Sequence, residues 1–296
     1  MGKELAANYP VAKQTFDEAD EALGYKLSQL CFEGPEDQLK LTEITQPAIL
    51  TVSVAAYRVL REKAPKLAPA FVAGHSLGEY SAHVAAGTLS FADAVRTVRN
   101  RGKYMQSAVP VGVGAMAAIL GMPIEQLASV CADAAQGEAV SPANINSPDQ
   151  IVISGSAAAV QRAADLAKER GAKRAIMLQV SAPFHCALMQ PAQDALAKDL
   201  AGLNFAVPKI PVVKNIDGNP TSDASAARTA LVNQVTGAVQ WVKSMQTLIA
   251  GGVDTFVEVG PGKVLCGLMR QIDRSKNCLN VEDEASLQKT LAALSA

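Results

Sequence analysis

The segment Gly74–Gly78 reads Gly-His-Ser-Leu-Gly and matches the G-x-S-x-G pattern of a nucleophilic serine. Such a serine occupies a sharp turn between a strand and a helix, where side chains larger than glycine would clash. The turn exposes the Ser76 hydroxyl and aims the backbone N–H of Leu77 at the oxyanion that forms when the serine attacks a carbonyl. The short pattern gains weight from its context, because an apolar run precedes it at 68–73 and a helical stretch follows it. The sequence therefore predicts acyl chemistry on Ser76.

A serine nucleophile needs a base, which is most often a histidine. The chain contains three histidines, at positions 75, 83 and 185. His75 adjoins the serine and leaves the turn in another direction, while His83 falls inside the following helix, where a packed or solvated role accounts for it. His185 follows a predicted strand, and strand ends are where sites assemble in open α/β folds. By elimination we expect His185 to be the base. No carboxylate stands out as its orienting partner, and a backbone carbonyl can take that role.

Arg101 interrupts the apolar face of the helix that is predicted to begin after Ser90. Val98, Arg101 and Met105 recur at helical spacing on that face. A guanidinium on an apolar face needs an anion. Two interpretations stay open on these residues alone: an arginine that extends from the edge of the apolar face to solvent, and a bidentate clamp for a substrate carboxylate.

Helices and strands alternate along the chain, which favours an α/β fold. Strands are predicted at Ala68–Ala73, Ile210–Ile216 and Val253–Val259. A helix is predicted at Glu79–Ala86, directly after the serine motif. Residues 260–262, Gly-Pro-Gly, are expected to turn the chain into its final helix.

Residues 112–180 form a self-contained pattern of elements. Its strands and helices are predicted at Gly114–Leu120, Pro123–Ala135, Val140–Asn146, Gln150–Ser154, Ala157–Glu169 and Arg174–Val180. The resulting βαββαβ order is the ferredoxin-like pattern. We therefore expect a ferredoxin-like subdomain at 112–180, inserted between the two halves, 1–111 and 181–296, of an α/β-hydrolase-like domain with a parallel sheet.

Composition narrows the classes of function. The 27 basic and 28 acidic residues nearly cancel, so there is no global basic field to hold nucleic acid or an anionic membrane. The longest stretch without charged or strongly polar residues, 108–124, is too short and too broken by glycine and proline to span a membrane. Five cysteines without a CxxC or Cys/His cluster predict neither a zinc site nor a disulfide framework. The first ten residues contain no apolar signal region, so we expect a cytoplasmic protein.

Together these residues resemble the malonyl-CoA:acyl-carrier-protein transacylase family of fatty-acid synthesis. The matching segments are GHSLGEYSA at 74–82, RGKYMQ at 101–106, GAMAAILG at 114–121, NINSPDQIVISG at 144–155, SAPFHCALM at 181–189, Gln234 with VQW at 239–241, and EVGPGKVL at 258–265. They run in family order over nearly the whole chain. This combination is far more specific than the serine motif alone.

The resemblance implies a role for each matching residue. Ser76 becomes acylated, His185 acts as general base and acid, and Arg101 pairs with the malonyl carboxylate. Gln234 orients His185 through its backbone carbonyl, and the Leu77 N–H serves the oxyanion hole. The substrate-binding residues that we expect in addition are Phe184, His75, Met105, Asn144 and Asn146. For Phe184, which directly precedes His185, plain core packing is the alternative.

The chain departs from the family pattern at its start. The family usually opens with a buried strand and a GQGSQ loop, whose last Gln supplies the second oxyanion-hole donor. Here Met1-Gly2 aligns with the helix that follows that loop. We therefore expect the sheet to lack one strand and the oxyanion hole to lack one donor, and a mis-assigned start or a truncation would explain both.

The reaction implied is ping-pong transfer of malonyl from malonyl-CoA to the phosphopantetheine thiol of acyl carrier protein, with no metal or bound cofactor. Two alternatives stay open: a serine thioesterase or esterase, and a catalytically impaired fragment or paralogue that binds the carrier. Arg101 favours the transferase, because a simple esterase has no need of a carboxylate clamp. We expect a monomer. The pair Lys173-Arg174 is a candidate contact for the acidic carrier, with a solvated basic edge as the alternative.

Overall fold

The computed structural model describes residues 1–295, and residue 296 lies outside this range. Five helices open the chain: α1 (Lys3–Asn8), α2 (Pro10–Leu23), α3 (Leu27–Glu33), α4 (Glu36–Leu39) and α5 (Thr42–Lys63). The buried side chains of α2 recur every three or four residues, as in Ala12, Phe16 and Ala19, and this face packs on α5. Gly24 ends α2 in a left-handed conformation, with φ of 71°.

The serine motif lies between β1 (Val72–Ala73) and α6 (Gly78–Ala85), which α7 (Phe91–Ser107) follows. β1 covers only the last two residues of the strand predicted at Ala68–Ala73. Because Pro69 has no N–H to donate, regular pairing starts closer to the motif. The Ser90 hydroxyl accepts the Asp93 N–H at 3.1 Å and caps α7.

The inserted region consists of β2 (Gly114–Leu120), α8 (Ile124–Ala135), β3 (Val140–Ser147), β4 (Gln150–Ser156), α9 (Ala157–Glu169) and β5 (Arg174–Met177). Its four strands form one antiparallel sheet in the order β3-β4-β2-β5. This is the ferredoxin-like arrangement that the element order predicted. α8 and α9 pack on the sheet through a core of their own. The boundary positions 112 and 180 stay a prediction.

The rest of the chain returns to the first domain. After a single 3₁₀ turn at Ala187–Met189, its elements are α10 (Gln190–Ala201), β6 (Val212–Val213), β7 (Pro220–Thr221), α11 (Ala224–Asn233), α12 (Trp241–Ala250), β8 (Thr255–Val259), α13 (Val264–Ile272), β9 (Asn277–Val281) and α14 (Glu284–Ser295). The prediction that the helix after Gly-Pro-Gly is the last element is wrong, because β9 and α14 follow it. β9 has a mixed polar sequence, and pairing with β8 rather than local pattern defines it.

The expected fold class is confirmed, with one difference in the sheet. β1 pairs in parallel with β6, which β7 extends, whereas β8 and β9 form a separate parallel pair. β6 is shorter than the strand predicted at Ile210–Ile216, because Pro211 interrupts it at one end and the chain turns at the other. The parallel strands of the described chain thus lie in two small sheets rather than one.

Backbone hydrogen bonds join the two domains next to the predicted site. The Ile145 N–H donates to the Val239 carbonyl at 2.9 Å, and the Val239 N–H donates to the Ala143 carbonyl at 2.8 Å. β3 of the inserted subdomain therefore abuts the segment that leads from α11 to α12. All five cysteines are free thiols. None of the helices in residues 1–295 has both the length and the apolar character that crossing a membrane requires.

Candidate active site

Ser76 stands at the turn between β1 and α6 with a backbone φ of 49°. The turn is so tight that a Cβ on Gly74 would lie 2.0 Å from the carbonyl carbon and oxygen of Gly78. Glycine is therefore required at position 74. Three non-glycine residues of the described chain have positive φ, and His185 (φ of 59°) is another of them. Two candidate catalytic residues thus hold left-handed conformations that cost free energy, a frequent feature of functional sites.

The side chains of Ser76 and His185 meet across 109 positions of sequence. Ser76 Oγ lies 2.8 Å from His185 Nε2, and His185 Nδ1 lies 2.8 Å from the carbonyl oxygen of Gln234. A carbonyl only accepts, so Nδ1 carries the proton and Nε2 is free to accept the serine proton. Burial, with a contribution from the nearby Arg101 cation, lowers the pKa of His185 to about 3. The imidazole is therefore neutral at pH 7 and can act as a base.

Arg101 is a buried cation, 2% exposed, beside the serine. It donates to Gln46 Oε1 at 2.7 Å, to Gln234 Oε1 at 3.0 Å and to Ser76 Oγ at 3.0 Å. Its Nε has no hydrogen-bond partner within the described residues, and none of their carboxylates forms an ion pair with it. Burial lowers the pKa of Arg101. The sequence left two interpretations of Arg101 open, and its burial excludes the one in which the side chain extends to solvent.

Close backbone contacts bring these groups together. A Cβ on Gly102 would lie 2.7 Å from the Thr42 carbonyl oxygen and from Glu43 Cα, so glycine lets α7 approach the start of α5 and its residue Gln46. A Cβ on Gly114 would lie 2.3 Å from Pro183, which fixes the loop that carries His185 against β2.

The other residues that the sequence predicted for substrate binding lie on the serine turn, on β3 and behind the site. His75 Nε2 donates to Asn146 Oδ1 at 2.8 Å, and this bond joins the serine turn to β3 of the inserted subdomain. Asn144 lies on the same strand, at the bridge to Val239. Met105 lies behind the site, where its sulfur accepts from Gln46 Nε2 at 3.9 Å.

Phe184 is half-buried and packs against a cluster that includes Met116, Ala118 and Val152 of the inserted subdomain. It thus lies where the two domains meet, one residue before His185. The Leu77 N–H, which was predicted for the oxyanion hole, donates to no acceptor among the described residues. This backbone donor adjoins Ser76 and has no partner among these residues, so it is available to an oxyanion.

Sequence reasoning missed three residues whose hydrogen bonds hold the site together: Gln46, Glu79 and Asn215. Gln46 and Glu79 are polar residues in stretches that the fold buries, and Asn215 stands just after β6, near the end of the strand predicted at 210–216. The same strand-end rule that selected His185 would have pointed to Asn215. Nothing local singled out Gln46, because its partner Arg101 is 55 positions away.

The sequence and the fold were compared with those of known proteins. Residues 1–290 match the acyl transferase domain family. The chain belongs to this family.

This acyl transferase has relatives of nearly the same length. A protein from Salmonella typhimurium, named malonyl CoA-acyl carrier protein transacylase, is 51% identical over 98% of this chain and 94% of its own. The solved structure of the malonyl CoA-acyl carrier protein transacylase from Coxiella burnetii matches with a TM-score of 0.97 and 43% identity, over 100% of this chain and 93% of that one.

A further solved structure is a type II PKS acyl-carrier protein in complex with its malonyl-transacylase. It matches with a TM-score of 0.96 and 48% identity, over 99% of this acyl transferase and 94% of that chain. The family and these relatives identify the protein as an acyltransferase enzyme.

Proposed function

We propose that this acyl transferase moves a malonyl group from malonyl-CoA to the phosphopantetheine thiol of an acyl carrier protein, through a malonyl ester on Ser76. The observation that carries the proposal is Arg101, a buried cation 3.0 Å from the Ser76 hydroxyl with no carboxylate partner in the described chain. A buried guanidinium of this kind suits a substrate carboxylate, which it can bind bidentately. The names of the relatives, all malonyl transacylases, support the same substrate.

Acylation begins when Ser76 Oγ attacks the thioester carbonyl carbon of malonyl-CoA and His185 Nε2 takes the serine proton. The Leu77 N–H, at the start of α6, stabilises the resulting oxyanion together with the positive end of the helix. The tetrahedral intermediate then collapses, the carbon–sulfur bond breaks, and His185 returns the proton to the CoA thiolate. The Gln234 carbonyl oxygen stabilises the imidazolium that exists between these two transfers.

Transfer to the carrier repeats these steps in reverse. His185 takes the proton of the phosphopantetheine thiol, the sulfur attacks the malonyl ester, and Ser76 leaves with the proton that His185 returns. Water competes with the thiol at this stage, so a transferase has to exclude it. The acyl carboxylate held by Arg101 keeps the ester in one orientation during the exchange of partners.

The other parts of the proposal concern surroundings and partners. Phe184, His75, Asn144 and Asn146 line the substrate cleft between the domains, and Met105 supports it from behind through Gln46. Malonyl-CoA and the carrier are the partners, with neither nucleic acid nor a membrane involved. Four further points stay predictions: a monomeric state, a cytoplasmic location, independence of metals and cofactors, and carrier contact at Lys173-Arg174.

Intact-protein mass spectrometry after incubation with malonyl-CoA tests the proposal. The wild type should gain the mass of one malonyl group, and Ser76→Ala should gain none. Ser81→Ala is the matched control, because Ser81 lies on α6 and contributes to none of the contacts described above. Its adduct should equal that of the wild type. A malonyl adduct on Ser76→Ala would refute the assignment of the nucleophile.

Adding carrier protein separates transfer from hydrolysis. The proposal predicts that CoA release stops after about one equivalent without carrier and continues when holo-carrier is present. Continuous release of CoA and free malonate without carrier would instead identify a thioesterase.

A further inference from the structure

Glu79 is a fully buried carboxyl on α6, three residues after the nucleophile. Its Oε2 accepts two hydrogen bonds, from the Asn215 backbone N–H at 3.0 Å and from Gln234 Nε2 at 2.7 Å. Its Oε1 has no hydrogen-bond partner in the described chain, and the nearest histidine nitrogen, His83 Nε2, is 4.0 Å away. The proposed mechanism does not use this carboxyl.

The first of its partners, Asn215, holds the serine turn on both sides. Asn215 Oδ1 accepts the Ser76 N–H at 2.6 Å, and Asn215 Nδ2 donates to the Gly74 carbonyl at 2.7 Å. These bonds bracket the strained residue, whose left-handed backbone needs support from its surroundings. Glu79 in turn fixes the backbone of Asn215.

The second partner, Gln234, contacts all three reacting groups. Its Nε2 donates to the Ser76 carbonyl at 3.0 Å, its backbone carbonyl accepts from His185, and its Oε1 accepts from Arg101 Nη2 at 3.0 Å. A side-chain amide presents an acceptor at one end and donors at the other. Glu79 can only accept at Oε2, so it holds the NH₂ end and leaves the oxygen end to Arg101.

We propose that Glu79 is a positioning residue for acyl transfer, whose carboxyl fixes Asn215 and Gln234 so that Ser76, His185 and Arg101 keep their reactive geometry. This inference rests on the proposed function. It concerns orientation rather than charge: a proton on the unpartnered Oε1 leaves Oε2 as an acceptor. Burial raises the pKa of Glu79 to about 7, so both forms are present near neutral pH and both keep the two contacts.

The test compares two substitutions that separate geometry from charge. Glu79→Gln keeps the length and one oxygen acceptor and loses the charge, whereas Glu79→Asp keeps the charge and withdraws the carboxyl by one methylene. Glu79→Asp should lower kcat for malonyl transfer by about 10²-fold, since a displacement of about 1 Å in a catalytic group has effects of this size. Glu79→Gln keeps an oxygen acceptor for both donors and should lower kcat by about threefold or less, within the free energy of a single hydrogen bond.

A loss of stability alone would leave the ratio of malonyl to acetyl transfer unchanged, so this ratio reports on positioning. A misplaced Gln234 removes one of the two acceptors of Arg101 Nη2 and loosens the guanidinium, so Glu79→Asp should lower this ratio about tenfold or more. Val95→Ala is the control, because Val95 is fully buried on α7 and makes none of these contacts. It should lower the melting temperature and leave the ratio unchanged.

Two outcomes would overturn the inference. The first is a Glu79→Asp variant whose kcat and malonyl-to-acetyl ratio equal those of the wild type. The second is a greater loss of kcat in Glu79→Gln than in Glu79→Asp, which would show that charge matters and position does not. If Glu79→Asp does not fold, the test rests on Glu79→Gln, because a lowered malonyl-to-acetyl ratio in that variant would contradict the inference. A wild type that forms no malonyl adduct would refute the proposed function instead, so the two failures are distinguishable.

Discussion

Arg101 Nη2 lies 3.0 Å from Ser76 Oγ, so a buried guanidinium contacts the hydroxyl that we propose as the nucleophile. The hydroxyl accepts from this cation while it donates to His185 Nε2 at 2.8 Å. In the proposed mechanism, both contacts stabilise the negative charge that develops on the oxygen during attack or departure. The side chain that we propose for recognition of the carboxylate therefore also bears on the reactivity of the serine.

Arg101→Ala should lower kcat/KM for malonyl-CoA by about 30- to 4,000-fold. Truncating one partner of a buried, hydrogen-bonded charge pair costs about 2–5 kcal/mol, and each tenfold corresponds to about 1.4 kcal/mol. Acetyl-CoA, which lacks the carboxylate, should improve relative to malonyl-CoA. The kcat/KM of Arg101→Lys for malonyl-CoA should lie between those of the wild type and Arg101→Ala, because an ammonium offers a point charge without the planar fork. Steady-state kinetics with both thioesters provides the measurement, and an unchanged malonyl-to-acetyl ratio in Arg101→Ala would rule out the clamp.

The short distance between Arg101 and Ser76 should also limit the length of the acyl group that is transferred. A malonyl ester places one methylene between the ester carbonyl and the carboxylate, which suits a cation next to the ester oxygen. Succinyl adds a second methylene, and Arg101 is fixed by Gln46 and Gln234 and cannot retreat without losing these bonds. Since one misplaced methylene costs about 10–200-fold, kcat/KM for succinyl-CoA should be lower by that range. Equal rates for the two acyl groups would show that the guanidinium does not define the length.

His185 should keep acylation independent of pH well below the usual histidine range. Its pKa is lowered to about 3 by burial and by Arg101, so the neutral base persists as the pH falls from 8 to 5. The rate of malonyl-enzyme formation, measured in single turnovers by quenched-flow mass analysis, should therefore be flat across this interval. Single turnovers avoid the titration of the acceptor thiol. An acid limb with its midpoint near 6.5 would show an unperturbed histidine and contradict the burial argument.

The inserted subdomain was the part of the fold that the sequence predicted best. Gly114–Leu120 and Ala157–Glu169 have the predicted bounds, because each is a continuous apolar or helical pattern closed by a turn signal. The two-residue strands β1 and β6 are shorter than predicted, because Pro69 and Pro211 remove backbone N–H donors from the runs that were predicted as strands. β9 was missed because its polar sequence becomes a strand only through its neighbour β8.

The site was predictable where one residue type has few candidates and unpredictable where polar residues are common. Three histidines and one serine motif leave little choice, and Ser76 and His185 do meet. Gln46 and Asn215 are ordinary amides among many, and their contacts with Arg101 and Ser76 exist only in the folded chain. The positive φ of His185 was equally invisible, because no glycine marks it.

His83 is a buried histidine with no catalytic contact. It is fully buried on α6, and neither ring nitrogen has a hydrogen-bond partner in the described chain. Burial lowers its pKa to about 4, whereas an unfolded histidine titrates near 6.5. Between these values the unfolded chain binds the proton more readily, so unfolding becomes easier as the pH falls. The stability associated with neutral His83 is present above pH 6.5 and is lost progressively toward pH 4.

Replacing this histidine should therefore flatten the dependence of stability on pH. From pH 7 to pH 5 the wild type should lose about 2 kcal/mol of unfolding free energy through His83, and His83→Leu should lose none through that position. His185 has a lowered pKa and acts in the same direction, while Glu79, with its pKa raised to about 7, acts in the opposite one. Both groups are present in both proteins, so their contributions largely cancel in the difference between the two pH profiles, even if leucine changes the absolute stability. Urea titrations at pH 5, 6 and 7 give the two profiles, and parallel profiles would mean that the imidazole of His83 gains its proton in the folded protein as easily as in the unfolded chain.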